Sequence, residues 1–270
     1  MAIIVPLLCI KHFKNFDYFK NMDFDFVPGN GKFIFFLHGW GGDKNSFAIL
    51  KNHIAQINRN MVFVSFPGFG NSEEPEFAFS LDDYVSRLVD LIVKMAKGKS
   101  VDIVCHSFGG RVAILLASKY PFLVNKIMMV DGAGLKPKRG LKYYFKVLKY
   151  KILKKKVADG KVDKSVLKKY GSSDYKKLSP VMKQTFINVV NRDLKNEAKQ
   201  INMQILLFWG EKDTETPLFM AKKYNKFLKN STLIVSKNSG HFSYLDDFDL
   251  FYKCFLDFIL NWREFKNSYN

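Results

Sequence analysis

The chain has 270 residues, 47% of them hydrophobic and 25% charged, which excludes general disorder and leaves room for one large domain or two small ones. A formal charge of +18, from 43 basic and 25 acidic residues, invites an anionic partner but says nothing about fold. Three cysteines (Cys9, Cys105, Cys254) are too few and too scattered for a disulfide framework or a zinc site, and they fit a reducing compartment.

No apolar run approaches the roughly 18 residues a membrane span needs. The apolar start, Met1–Ile10, has neither a basic n-region nor a small-residue cleavage site. It therefore reads as a first strand, not a signal peptide, and the expected location is cytoplasmic. Phe33–Leu37 reads as a buried strand running into the Gly-rich loop His38-Gly39-Trp40-Gly41-Gly42. Met61–Phe66 predicts another strand, stopped by Pro67-Gly68. Ser80-Leu81-Asp82-Asp83 has the form of a capping box, with Asp in place of Glu. The helix it opens runs to about Lys97, with Tyr84, Leu88, Leu91 and Met95 on one face.

Val101–Cys105 predicts a strand, about Gly109 to Lys119 a helix, and Lys126–Val130 a strand ending at Asp131-Gly132. From about Leu135 to Gln200 the rhythm breaks into several helices. Between Lys136 and Lys177 stand 16 Lys or Arg against 3 Asp, so most of the net charge lies in this insert. Ile205–Trp209 and Thr232–Val235 predict strands, and Asp247–Trp262 a last helix. Apolar strands without polar alternation, separated by helices, predict an α/β fold with a mostly parallel central sheet covered on both faces. The expected core is 1–134 with 201–270, and the insert is 135–200.

Cys105-His106-Ser107-Phe108-Gly109-Gly110 lies between a strand and a helix, the setting in which a G-x-S-x-G-like motif has meaning. Cys105 stands where the motif has Gly, but small residues two before and two after Ser107 still permit a tight turn. That turn lifts the Ser107 side chain above the sheet, at a helix N-terminus that favours negative charge. The Phe108 N–H can then donate to a developing oxyanion. The His38–Gly42 loop, read alone, is a glycine turn, but its place after the FIFFL strand lets the Trp40 N–H act as a second donor. Asp213, after the Ile205–Trp209 strand, either caps the next helix or accepts from a histidine ring N–H and fixes its tautomer. Of five histidines, His12 and His53 read as surface residues and His38 and His106 as scaffold. His241, in Ser239-Gly240-His241-Phe242, is the one placed to be a base. Ser107, Asp213 and His241 each follow a strand, at the edge of a parallel sheet where ligands bind.

HGWGG at 38–42, PGFGNS at 67–72, CHSFGG at 105–110, WGEKD at 209–213 and SGH at 239–241 together resemble the α/β-hydrolase superfamily over nearly the whole chain. The esterase and C–C-bond hydrolase branch, with a helical cap, is most similar. The HGWG loop resembles that of carboxylesterases cleaving pimeloyl-carrier methyl esters. The resemblance implies the α/β-hydrolase fold with a helical cap at 135–200. It also implies a Ser107 nucleophile, a His241 base, an Asp213 orienting acid, and oxyanion donors at Trp40 and Phe108. Some members carry the acid where Asp131 stands, but Asp213 has the better-matching Trp-Gly-x-x-Asp context.

The expected reaction is cleavage of a carboxylic ester or thioester of a small molecule, with no metal or organic cofactor. C–C hydrolysis of a diketone acid by the same triad is the alternative, and a ligand-binding pseudoenzyme a further one. In the insert, Tyr143, Tyr144, Phe145, Leu148 and Phe186 either line an acyl site or pack the cap onto the core. The cap lysines form a solvated face or draw an anionic carrier, acidic lipid surface or carboxylated substrate. No nucleic-acid motif is present, and Arg111 reads as structural.

Overall fold

Strands that are apolar on both sides need cover on both sides, and the chain supplies it. The computed structural model describes residues 11–12, 22–53, 57–136, 141–163, 166, 175 and 177–260. In chain order its strands and helices are β1 (Lys11–His12), β2 (Phe24–Val27), β3 (Phe33–Leu37), β4 (Asn60–Val64), α1 (Leu81–Ala96), β5 (Val101–His106), α2 (Phe108–Lys119), β6 (Val124–Val130), α3 (Leu141–Ala158), α4 (Pro180–Val190), α5 (Lys195–Gln200), β7 (Gln204–Gly210), α6 (Leu218–Phe227), β8 (Ser231–Ser236), α7 (Ser243–Asp246) and α8 (Phe248–Leu260). One sheet has the order β1-β2-β4-β3-β5-β6-β7-β8. β1 and β2 run antiparallel to their neighbours, and every other pairing is parallel.

Alternate residues of the central strands enter opposite cores. Phe35, Leu37, Ile103, Cys105, Ile127, Met129, Ile205, Leu207 and Trp209 join one, with α1, α2 and α6. Ile34, Phe36, Val104, Met128, Val130, Leu206 and Phe208 join the other, with Phe251, Phe255 and Phe258 of α8. At about 1.5–3 kcal/mol per large apolar side chain removed from water, this two-sided burial is the main source of stability.

The Ser80 capping box is present: Ser80 Oγ accepts from the Asp83 N–H, and the Asp83 carboxylate accepts from the Ser80 N–H at 2.7 Å. The strand expected over Met61–Phe66 ends at Val64. Beyond it, the Ser65 N–H turns to the Asp23 carbonyl (2.8 Å) and the Phe66 N–H to His38 Nε2 (2.9 Å). The last helix starts at Phe248 because Asp247 accepts instead from the Ser236 hydroxyl at 2.7 Å. The elements β1, β2, α6 and α7 are additions to the expected pattern. In β2, Asp25 interrupts the apolar run and pairs with Lys51 at 2.6 Å; α6 is a ten-residue helix. The strand expected at Met1–Ile10, and Trp262, lie outside the described residues.

Among the described residues between β6 and β7, the chain forms the helices α3, α4 and α5. α4 is fixed to the rest by polar bonds. The Phe79 N–H donates to Thr185 Oγ1 at 2.9 Å, and Asn188 Nδ2 donates to the Phe79 carbonyl at 3.1 Å. Arg111, buried in α2, donates through Nη1 to the Val189 carbonyl (3.2 Å) and the Arg192 carbonyl (2.9 Å). Arg111→Met would leave both carbonyls without this donor. We expect it to cost about 1–3 kcal/mol, read as a lower urea midpoint. An unchanged midpoint would remove the structural role assigned to Arg111.

Candidate active site

The sheet order reverses at β3, with β4 on one side and β5 on the other. The loops leaving the carboxyl ends of β3 and β5 therefore border a crevice, the usual ligand position in such sheets. Ser107 stands at the end of β5 with φ 46° and ψ −108°, a backbone conformation costly for a residue with a Cβ. Backbone bonds hold it there: the Ser107 N–H donates to Val130 O (3.1 Å), and Ser107 O accepts from the N–H groups of Gly110 and Ala133 (both 3.0 Å). Gly109 permits the turn by close approach, since a Cβ there would lie 2.4 Å from the Leu37 carbonyl. Its N–H donates to the His38 carbonyl at 3.0 Å, which binds the β3 loop to the start of α2.

His241 lies between Ser107 and Asp213. Its Nε2 is 3.0 Å from Ser107 Oγ, and its Nδ1 is 2.9 Å from Asp213 Oδ2. The loop that carries it passes so close to the end of β7 that a Cβ on Gly210 would sit 2.1 Å from the Gly240 carbonyl. Asp213 is buried. Its Oδ1 accepts from the N–H groups of Glu215 (2.8 Å) and Thr216 (2.9 Å), and its Oδ2 from the Thr216 hydroxyl (2.6 Å). Asp213 does not cap α6, whose N-cap is Pro217 with no side-chain bond; its Oδ1 closes a local turn while its Oδ2 faces His241.

Burial works against charge on Asp213, but the hydrogen bonds from His241 and Thr216 outweigh it and hold the carboxyl below its ordinary range. Burial likewise opposes the imidazolium of His241. The hydrogen bond and charge of Asp213, with the charges of Glu215 and Asp131, prevail and raise its pKa above 6.5. The other two buried histidines serve the frame. His38 Nδ1 meets the Gly39 carbonyl at 2.7 Å, and His106 Nε2 the His241 carbonyl at 2.7 Å. Burial pushes His38 down to about 4 and His106 down to about 3, so both are neutral at pH 7. His53 is partly buried against Tyr252, with ring centroids 4.5 Å apart. The side chain of His12 lies outside the described residues.

Asp131 ends β6 and makes other bonds. Oδ1 accepts from the Gly210 N–H (2.8 Å), and Oδ2 from the Ser243 N–H (3.0 Å) and hydroxyl (2.6 Å). Burial pushes its pKa up to about 7 against these bonds. Asp131 therefore ties β6 to β7 and to α7.

Trp40 packs edge-on against Phe69, Phe108 and Phe186, with centroids 4.8, 5.4 and 5.0 Å away. This aromatic wall joins the loops after β3 and β4 to α2 and α4. Phe186 is thus beside the site, whereas Phe145 and Leu148, the other candidates for an acyl lining, are 69% and 54% exposed. Neither lines a pocket here, because both are on the outward side of α3. The side chains of Tyr143 and Tyr144 lie outside the described residues.

Two residues near His241 were absent from the sequence reading. Thr216 Oγ1 is within reach of Asp213, the Asp131 carbonyl (2.8 Å) and His241 Nδ1 (3.4 Å). Glu215 Oε2 lies 3.3 Å from His241 Nε2, on a side chain 68% exposed. The available signal was their spacing, two and three residues after an Asp, as in an Asx turn. Among the described residues no group of three or more His, Cys, Asp or Glu could hold a metal ion, and no helix is long and apolar enough to cross a membrane.

The family model described as alpha/beta hydrolase fold matches residues 32–162, and that described as TAP-like protein matches residues 185–249. The AB hydrolase superfamily protein YisY of Bacillus subtilis is 24% identical, over 81% of this chain and 88% of its own. Other curated relatives match over about a third of their length. An esterase from Exiguobacterium antarcticum superposes with TM-score 0.67 at 20% identity, over 88% of this chain and 95% of its own. A meta-cleavage product hydrolase from Pseudomonas fluorescens IP01 does so with TM-score 0.63 at 18% identity, over 92% of this chain and 95% of its own. Both structures share the fold.

Proposed function

Because the chain belongs to the α/β-hydrolase superfamily, we propose that it is a serine hydrolase cleaving a carboxylic ester or thioester through an acyl-Ser107 intermediate. The observation that carries this reading is the unbroken line from Ser107 Oγ through His241 to Asp213, at 3.0 and 2.9 Å.

Ser107 Oγ attacks the acyl carbon while His241 Nε2 takes its proton. The imidazolium so formed keeps its Nδ1–H on the Asp213 carboxylate. The tetrahedral oxyanion receives the N–H groups of Phe108 and Trp40. One such donor is typically worth about 2.7–4 kcal/mol. His241 then returns the proton to the departing alcohol or thiol. Water repeats the sequence on the acyl group and frees Ser107, so one hard step becomes two easier ones. The segment 135–200 acts as a cap over the acyl side, and Phe186 with Trp40 contributes its aromatic wall.

A panel of p-nitrophenyl esters, acyl thioesters and a vinylogous diketone acid tests the substrate class. Turnover of the esters or thioesters, with none of the diketone, is expected. Turnover of the diketone alone would replace the ester reading with C–C hydrolysis.

The pH dependence has a defined sign. Only neutral His241 can accept the Ser107 proton, and its pKa is raised, so kcat/KM should fall as pH drops through a value above 6.5. Glu215→Gln removes one of the charges that favour the imidazolium. The acid limb of the profile should then move to lower pH, by a small amount because Glu215 is exposed. A limb that moves upward would contradict this electrostatic assignment.

A further inference from the structure

An amphipathic helix of a globular domain carries one apolar stripe, turned to the core. α3 (LKYYFKVLKYKILKKKVA) carries two. Tyr150, Leu153 and Val157 are partly buried, on one side. Phe145, Leu148 and Ile152, spaced by three and four residues, share the opposite side and are 69%, 54% and 50% exposed. Lys149 and Lys156 flank this outer stripe along one edge, Lys151 and Lys155 along the other, and all four are exposed. The helix holds seven lysines and no acidic residue.

We propose that the outer face of α3 docks on an anionic phospholipid bilayer, lying in the plane of the interface. Exposed Phe, Leu and Ile at helical spacing would enter the boundary between headgroups and acyl chains. The flanking lysines have stems long enough to lie along that boundary while their ammonium groups meet lipid phosphates. Charge complementarity selects the surface: a lysine edge on each side of the stripe needs negative headgroups. The apolar stripe selects lipid over nucleic acid, since a phosphate backbone takes the lysines but gives Phe145, Leu148 and Ile152 nothing to bury against. The inference stands on α3 alone and does not depend on the catalytic reading.

The test is co-sedimentation of the full chain with vesicles of phosphatidylcholine alone and of phosphatidylcholine mixed with phosphatidylglycerol. Binding to the mixed vesicles only, weakened by salt, is expected. Lys→Gln at 149, 151, 155 and 156 should lower the partition about fivefold per lysine. Lys→Arg at the same four positions should retain it. Phe145→Ser, Leu148→Ser and Ile152→Ser together should lower it about tenfold or more at unchanged charge. Circular dichroism and thermal melting verify that each variant is folded, and the Lys→Arg variant carries the charge test if the glutamine variant is not. No sedimentation with anionic vesicles, or equal sedimentation with both kinds, overturns the proposal. So does a serine variant that binds like the parent while single-stranded DNA displaces both, which would mark α3 as a polyanion site.

Discussion

Replacing Ser107 with alanine is expected to lower kcat on an activated ester by about a millionfold while leaving the fold in place. The size follows from the role, because without Oγ neither the covalent bond nor the proton transfer to His241 can occur. Preservation of the fold follows from the backbone. The turn at φ 46° is held by main-chain bonds from Ser107 to Val130, Gly110 and Ala133, and alanine keeps them all. The alanine side chain also retains the Cβ beside Gly39, so no cavity opens beyond the lost hydroxyl. Residual hydrolysis above the rate in water would come from the oxyanion donors and binding alone. Activity within tenfold of the parent would remove Ser107 from the mechanism.

Asp213→Asn should reduce kcat by about 10⁴-fold, with a smaller change in KM. The local bonds decide which way the new amide points. Oδ1 accepts from two backbone N–H groups, Glu215 and Thr216, so the Asn oxygen stays there. Its NH2 then faces His241 Nδ1, where the carboxylate accepted a proton at 2.9 Å. The ring must carry its proton on Nε2 to accept that donor, and in this tautomer it cannot take the proton of Ser107. Losing the charge of Asp213 also lowers the pKa of His241, so residual activity should extend to lower pH. Asp131→Asn separates the two carboxyls. Its oxygens hold Gly210 and Ser243, so the substitution should lower the melting temperature, with a much smaller loss in kcat. Measuring kcat and melting for both variants side by side distinguishes them. A larger kcat loss at Asp131 would transfer the orienting role to it.

The parts of this chain legible in the sequence are those governed by local rules. The Ser80–Asp83 capping box closes within four residues, so the pattern and the observed bonds coincide. The apolar strands β3, β5, β6 and β7 announced a sheet covered on both faces, because burial on each side removes polar alternation. The order of the three candidate triad residues was legible because each follows a strand, and parallel strands bring their carboxyl ends together. What escaped reading depends on distant partners. β2 was not read from the sequence, because Asp25 breaks its short apolar run and its counter-charge, Lys51, lies 26 residues away. Thr216 and Glu215 went unread, since their closeness to His241 needs the loop beyond β8. In α3, apolar residues on two opposite faces concealed which side meets the protein.

The most direct test of an activated serine is reaction of the intact chain with a fluorophosphonate, followed by peptide mapping of the adduct. A phosphonate on Ser107 is expected, absent from Ser107→Ala and formed much more slowly in Asp213→Asn. A folded protein that is not labelled, or is labelled at another serine, would contradict it.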